Sequence, residues 1–396
     1  MIFTVALHTV ELIFWTFIGL ILYNYLGFNI LMKFLAVFKK HNQNIFLPQD
    51  PSLPSITILL AVYNEEKVIR RKIESTFATD YPKDKIRLLI GSDNSSDETD
   101  KIIKEYIQSN SQIELYRFES RTGKPGIINA LAEKAQSEIL LLTDANIFFT
   151  PSTIYELTKH FKNNEIGLVC ANVLNPDILE KGISQQETAY IYRENTLKYR
   201  EGLYGCMVGT FGAAYTIRKQ LYTPVPAGFI SDDFFISMKV VEKNNKAILE
   251  PLAVCYEVFS TEIKEELKRK SRYAVGNFQN MKYFSSMLWK FWEMKTFCFW
   301  SHKVLRWLTP WLILVILLSL SFLVFKNDFY RWIGILAILG FAAVAIDQLF
   351  IKKWFSIKPL RFASYFIVMN YALWIGSIRF MFLKPTNIWN PTKRDI

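Results

Sequence analysis

Ser55–Glu66 reads SITILLAVYNEE, an apolar run from Ser55 to Val62 that passes directly into the polar Tyr63-Asn64-Glu65. A short continuous apolar run ending in polar residues suits a strand covered on both faces. The same alternation repeats outward from it. Glu65–Phe77 has helical spacing, Ile86–Ser92 reads as a strand, Glu98–Ile107 as a helix and Ile113–Phe118 as a strand. Pro125–Ala135 then reads as a helix, Ile139–Thr143 (ILLLT) as a buried strand, Ser152–Phe161 as a helix and Ile166–Val173 as a strand. This predicts an α/β fold of βαβ units around a mostly parallel central sheet, with ligands at the carboxyl ends of the strands.

Polar residues follow three of these strands: Tyr63-Asn64-Glu65, then Asp93-Asn94-Ser95-Ser96-Asp97-Glu98-Thr99, then Asp144-Ala145-Asn146. No GxxxxGK[ST] or GxGxxG follows a strand, so a nucleotide here is not held by a glycine cradle. A metal between carboxylate and diphosphate is the expected alternative. Further on, Ser231-Asp232-Asp233-Phe234 opens the amphipathic run ISMKVVEKNN. Adjacent carboxylates raise each other's pKa while a helix N-terminus lowers both, so one of the two is a candidate base.

The chain of 396 residues is 51% hydrophobic and 15% aromatic, which excludes a disordered protein, and carries a net charge of +11. Leu12–Met32 runs without a charge for the length of a bilayer core, and Leu308–Phe325, Trp332–Ile351 and Phe362–Phe380 are three more candidate spans. Met1–Glu11 carries no Lys or Arg, so the first span reads as an uncleaved anchor. Lys33, Lys39 and Lys40 after it, with Lys352, Lys353, Lys358 and Arg361 between the last two spans, place the intervening region in the cytoplasm. Counting spans puts the C-terminal tail outside, whereas Lys384, Lys393 and Arg394 argue for inside. Expected boundaries are therefore 1–38 for an N-terminal anchor, 39–285 for a catalytic domain, 286–307 for an interfacial amphipathic segment and 308–396 for a membrane region of about three helices. Within the interfacial segment His302 reads as an interface residue. Much of the basic excess lies at membrane boundaries, and no nucleic-acid motif accompanies it, so nucleic acid is not an expected partner. Cys170, Cys206, Cys255 and Cys298 lack disulfide or zinc spacing and fit a reducing compartment.

The motifs ILLAVYNEE, LLIGSDNSSDET, TGKPGIINALAEKA, LLLTDAN, GTFGAAYTIRK, SDDF and RKSRYAVGNFQ occur in this order between Pro54 and Gln279. That stretch resembles a membrane-anchored family-2 inverting glycosyltransferase with a GT-A fold. The similarity is to bacterial polysaccharide synthases of the cellulose, hyaluronan and poly-N-acetylglucosamine synthase type. It implies a UDP-sugar donor, Mg²⁺ or Mn²⁺, a growing polysaccharide or lipid-linked acceptor, and contact with membrane lipids. It also implies a bacterial inner membrane location with the catalytic domain cytoplasmic. A non-processive enzyme acting on a membrane lipid is the alternative within the class; a nucleotide-binding transporter or scaffold is the alternative outside it.

Residue by residue, the resemblance puts Asp93 at the uracil imide, Tyr63 beside the base ring and Glu65 at the nucleoside end. Asp144 and Asn146 occupy the metal-binding DxD position, with Asn as a neutral third residue. Lys124 stands at a helix N-terminus suited to phosphate. Asp233 is the implied base and Asp232 its support. Gly212 floors the acceptor pocket. Arg272 corresponds to the diphosphate-binding Arg of QxxRW, and Tyr273 replaces its acceptor-stacking Trp. Simpler readings stand beside these: Ser95 and Glu98 have capping-box spacing, Glu65 suits a first helical turn, and Asp144 and Asp232 suit caps. Lys124 is equally a solvated lysine, Asn129 a packing amide, the glycines packing devices, and Arg269 and Lys270 part of a basic face near anionic lipid.

Overall fold

The computed structural model describes residues 2–174, 184–257, 263–349 and 358–382. Lys352, Lys353, Lys384, Lys393 and Arg394 lie outside the described residues, as does the end of the third expected span. The chain divides into two compact units: one holds residues 32–265 and 279–299, the other residues 1–31, 266–278 and 300–383.

The first unit is built on one eight-stranded sheet. Its strands are β1 (Ile56–Val62), β2 (Ile86–Ser92), β3 (Ile113–Arg117), β4 (Ile139–Thr143), β5 (Ile147–Phe149), β6 (Ile166–Leu174), β7 (Ala214–Arg218) and β8 (Lys246–Glu257). They lie in the order β3-β2-β1-β4-β7-β6-β8-β5. β1 pairs in parallel with β2 and β4, β2 with β3, and β6 with β8. β7 runs antiparallel to both β4 and β6, and β5 antiparallel to β8. The sheet is thus mixed, with a parallel block of β3, β2, β1 and β4 where the βαβ pattern predicted it; the antiparallel β7 lies beyond Val173, where that pattern stops, and the short antiparallel β5 lies within the predicted stretch as a strand the pattern does not show.

All seven residues of β1 are buried, as expected for a strand covered on both faces. Its neighbours β2 and β4 leave in opposite directions across the sheet, so the loops after β1 and β4 open a crevice at their carboxyl ends. The helix after β1 begins at Ile69, later than Glu65, because residues 65–68 form a turn closed by Val68 and Ile69 N–H groups on the Glu65 carbonyl, at 3.0 and 2.9 Å. Ile69, Ile73 and Thr76 face inward at helical spacing, and Lys72 is buried with them.

Among the described residues four helices are long and apolar enough to cross a membrane, as in a membrane protein: Val5–Ala36, Met294–Leu323, Asp328–Asp347 and Pro359–Phe382. The second begins well before Leu308. Cys298, Phe299, Ser301, His302 and Val304 are buried along it, and a π-helical turn at Phe299–Val304 carries the helix through the expected interfacial segment. His302 is accordingly a buried helix residue. Before Met294, Trp289, Phe291 and Trp292 stand exposed, at 74%, 59% and 81%. Within the helical unit, Phe14, Leu320, Leu323 and Tyr330 form a core. A Cβ on Gly376 would lie 2.3 Å from the Ala274 Cβ, so helices Ile263–Tyr283 and Lys358–Phe382 cross closely there, and Arg379 Nη1 donates to Ser271 Oγ at 3.2 Å. Asp347 is buried and bound by Arg361 at 3.0 Å and Ser364 at 2.7 Å.

Candidate active site

The loops after β1 and β2 are laced together. Asn64 and Asn94 adopt left-handed backbone conformations, with φ of 51° and 60°. The Asn64 N–H donates to Ser95 Oγ at 3.2 Å, Glu65 N–H to Thr99 Oγ1 at 2.8 Å and Glu66 N–H to Asp97 Oδ2 at 3.2 Å. Ser95 is therefore a cross-loop acceptor and not part of a capping box; the helix that follows has Glu98 at its N-cap without a side-chain cap.

Asp93, at the tip of β2, is fully buried. Its carboxylate accepts from Thr122 N–H at 2.6 Å, Gly123 N–H at 3.2 Å and Arg121 Nε at 3.0 Å. The imide-binding expectation therefore meets a carboxylate whose two oxygens already fasten the 121–123 loop. That loop ends in Gly123, whose φ of 82° suits glycine, and it delivers Lys124 to the first position of helix Lys124–Lys134. Arg121, which the motif reading missed, lays its guanidinium over the Tyr63 ring at 3.4 Å.

Lys124 is the centre of the site. Its Nζ lies 2.6 Å from Asp144 Oδ1 and 3.7 Å from Asp232 Oδ2. Burial opposes its charge, but Asp144, Asp232 and Asp233 outweigh that and hold its pKa above the usual lysine range. It is not a solvated lysine. Asp232 and Asp233 open helix Asp232–Glu242, with Ser231 at the N-cap. Burial first, and the Asp232 carboxylate second, push Asp233 up to about 6, against Lys124, the Phe234 N–H and Lys198. Asp233 keeps a small exposed fraction, whereas Asp232 is buried. A Cβ on Gly212 would lie 3.2 Å from Asp233 Oδ2, so the glycine leaves room for that carboxylate. Gln279 clasps the preceding loop, accepting from Ile230 N–H at 3.1 Å and donating to the Gly228 carbonyl at 2.8 Å.

Asp144 is 37% exposed in its side chain. Asn146 is buried and donates its amide to Glu257 Oε1 at 3.4 Å, at the far end of β8. Lys72 reaches this turn from the side of the helix after β1, donating to Thr143 Oγ1 at 3.0 Å and to the Ile147 carbonyl at 2.7 Å. Burial lowers the Lys72 pKa to about 7. Asn129 is a packing amide, accepting from Tyr222 OH at 2.7 Å and Val225 N–H at 2.9 Å. Arg272 and Tyr273 belong to the helical unit, where the Arg272 guanidinium lies 5.4 Å from the Tyr273 ring centroid. Gln279 carried a sequence signal, as the last residue of RKSRYAVGNFQ. Lys72 carried only its place on an apolar stripe, and Arg121 and Glu257 carried none.

Among the described residues one group of His and carboxylate side chains has metal-ligand proximity: His41, His160 and Glu250, with ligand atoms within 4.8 Å of one another. His160 Nε2 and Glu250 Oε2 are 2.5 Å apart, a direct hydrogen bond, and Lys159 Nζ stands 3.3 Å from the same oxygen. This cluster already contains its own cation. It joins the segment before β1 to the domain, with Asn42 bound to His160 Nδ1 at 3.0 Å.

Residues 57–222 match the family model described as Glycosyl transferase family 2. Poly-beta-1,6-N-acetyl-D-glucosamine synthase of Staphylococcus aureus (strain COL) is 27% identical over 252 residues, 59% of this chain and 58% of that protein. The enzyme of the same name from Staphylococcus epidermidis is 26% identical over 271 residues, 67% of this chain and 62% of that protein. The chain thus spans about three fifths of the length of these relatives. A solved structure, the mannosyltransferase PcManGT from Pyrobaculum calidifontis in complex with GDP-Man and Mn2+, superimposes with a TM-score of 0.66 at 19% identity, covering 94% of this chain and 99% of that one. Sequence match, sheet and relatives agree: residues 57–222 match the glycosyltransferase family 2 model, the fold is GT-A-like, and the chain resembles the polysaccharide synthases.

Proposed function

We propose that the protein is an inverting membrane glycosyltransferase that transfers a hexose or N-acetylhexosamine from a UDP-sugar to a growing polysaccharide. The observation that carries this reading is the convergence of Asp144, Asp232 and Asp233 on Lys124 at the carboxyl ends of the strands, with Lys198 acting on Asp233 and Lys72 on Asp144 from further off. Carboxylates gathered round one cation in this way suit a divalent ion together with a diphosphate. The residues fit such an ion: Asp144 offers a partly exposed hard oxygen ligand and would hold it, the ion keeping room for diphosphate and water. Once bound, a divalent ion neutralises charge developing on the departing nucleoside diphosphate. Asn146 contributes by holding Glu257, and the Lys124 ammonium, beside Asp144, offers a charge-assisted hydrogen bond to a phosphate oxygen. Asp93 acts by holding the 121–123 loop, with Tyr63 and Arg121 forming the face on which the base rests.

Inversion is a single displacement, so one base must meet the acceptor hydroxyl opposite the leaving group. Asp233 takes that proton. Its pKa near 6 leaves it ionised at neutral pH yet basic enough to act, and Gly212 keeps the space beside it open. Asp232 supports it, while Arg272 and Tyr273 are assigned to diphosphate and acceptor by the family resemblance. The apolar helices support a reaction at a membrane, and the exposed Trp289, Phe291 and Trp292 suit its headgroup level. The basic residues after the first span and the family resemblance support a catalytic domain on the cytoplasmic side of a bacterial inner membrane. The replacement of the stacking Trp by Tyr273 favours a second reading, a single transfer to a membrane lipid. UDP release by lipid-reconstituted protein across a panel of UDP-sugars with Mn²⁺ or Mg²⁺, followed by product sizing, tests both. Long product supports the synthase, short lipid-soluble product supports the second reading, and no release with any sugar counts against both.

A further inference from the structure

The proposed reaction makes no use of Lys72, yet burying an ammonium is costly unless its hydrogen bonds are met. Packing alone is served by a Met or Leu at this point of the stripe. Among the described residues the Lys72 ammonium bonds to no carboxylate. It donates instead to Thr143 Oγ1 and the Ile147 carbonyl, at 3.0 and 2.7 Å, and lies 3.6 Å from the centre of the Phe149 ring. Those two acceptors flank Asp144-Ala145-Asn146 on either side. The Thr143 hydroxyl in turn donates to the Ala213 carbonyl at 2.8 Å, and the same carbonyl accepts the Asp144 N–H at 3.3 Å. Ala213 follows Gly212, which lies against the Asp233 carboxylate. One ammonium therefore pins both ends of the candidate metal-binding turn and, through Thr143 and Ala213, ties it to the loop beside the candidate base.

We infer that Lys72 is a positioning residue that fixes the Asp144-Ala145-Asn146 turn in the geometry that binds the divalent ion and diphosphate. This rests on the reading of Asp144 given above. The test measures Mn²⁺ binding in the presence of UDP, by electron paramagnetic resonance of free Mn²⁺, on the full-length protein in lipid nanodiscs. Turnover against Mn²⁺ concentration and thermal unfolding are followed alongside. Lys72→Met is expected to weaken Mn²⁺ binding by about 10- to 100-fold, the usual effect of removing a group that orients a metal ligand, with turnover at saturating Mn²⁺ within a few-fold of wild type. Thr143→Val, which leaves Lys72 in place but removes its hydroxyl partner, is expected to shift binding in the same direction by less.

Asp144→Ala separates the two levels of the argument. If it leaves Mn²⁺ binding intact, the reading of Asp144 is wrong and the inference falls with it. If it abolishes binding while Lys72→Met and Thr143→Val leave the affinity at the wild-type value, or lower only the unfolding temperature, Lys72 is structural and the inference alone is overturned. Should Lys72→Met not fold, Thr143→Val decides.

Discussion

Two charged clusters in the sheet-bearing unit are built from similar parts and balanced in opposite ways. Around Glu250, a buried carboxylate meets His160 at 2.5 Å and Lys159 at 3.3 Å. Burial works against its charge, but the His160 hydrogen bond, the Leu252 N–H and Lys159 hold its pKa down to about 2. Around Lys124, three carboxylates share one close ammonium, and one of them, Asp233, is pushed up to about 6. The first cluster is balanced and shut; the second is unbalanced and partly open. Satisfied charge fastens a fold, and unsatisfied charge leaves room for a ligand and for proton transfer.

Breaking the open cluster should cost chemistry. Asp233→Asn is expected to reduce UDP release by on the order of 10² to 10⁴, the range for losing a general base, while Mn²⁺-dependent UDP binding measured by calorimetry stays within a few-fold. Turnover of the wild type should rise with pH through about 6 as Asp233 ionises, and the residual activity of Asp233→Asn should lose that acid limb. A flat wild-type profile from pH 5 to 8 argues against Asp233 as the base. Because the folded pKa lies above the ordinary value of 3.8, this group favours the folded state below that value, and the contribution disappears as pH rises through about 6.

Breaking the shut cluster should cost stability instead. Glu250→Gln takes the buried carboxylate from His160 and Lys159, although Lys159 keeps Glu156, and is expected to destabilise the domain by roughly 1–3 kcal/mol, read by denaturant unfolding, with turnover of the folded fraction preserved. The sign with pH is opposite to that of Asp233. The contribution of Glu250 is fully present above its ordinary value of 4.5 and is lost as pH falls through about 2. The smallest effect is expected from Gly212→Ala. Its Cβ would stand 3.2 Å from Asp233 Oδ2, so the carboxylate must give by a few tenths of an ångström, and turnover should fall several-fold with little change in unfolding. An unchanged rate would show that Asp233 has slack on that side.

Much of this contrast was legible in the sequence on one side only. Asp144, Asp232, Asp233 and Lys124 stood out because each sits where a strand ends or a helix begins, places that local pattern locates. Their convergence was not legible, since it requires the helix at Lys124 and the helix at Asp232 to reach the same end of the sheet from 108 positions apart. The Glu250 cluster gave no sign at all: His41, His160 and Glu250 come from a linker, a 3₁₀ turn and an edge-side strand. The partners of Asp93 were illegible for the same reason, because Arg121, Thr122 and Gly123 are brought to it by the fold of a later loop.

The sequence by itself determined the alternating strands and helices as far as Val173, the apolar helices near both ends and the polar strand ends, because each depends on a run of neighbouring residues. Tertiary structure alone decided the antiparallel strands β7 and β5, the continuation of a helix through Phe299–Val304, and which charges face each other. Strand direction and charge pairing are properties of segments far apart in the chain. The energy of a buried ion depends on the partners that only folding brings within reach.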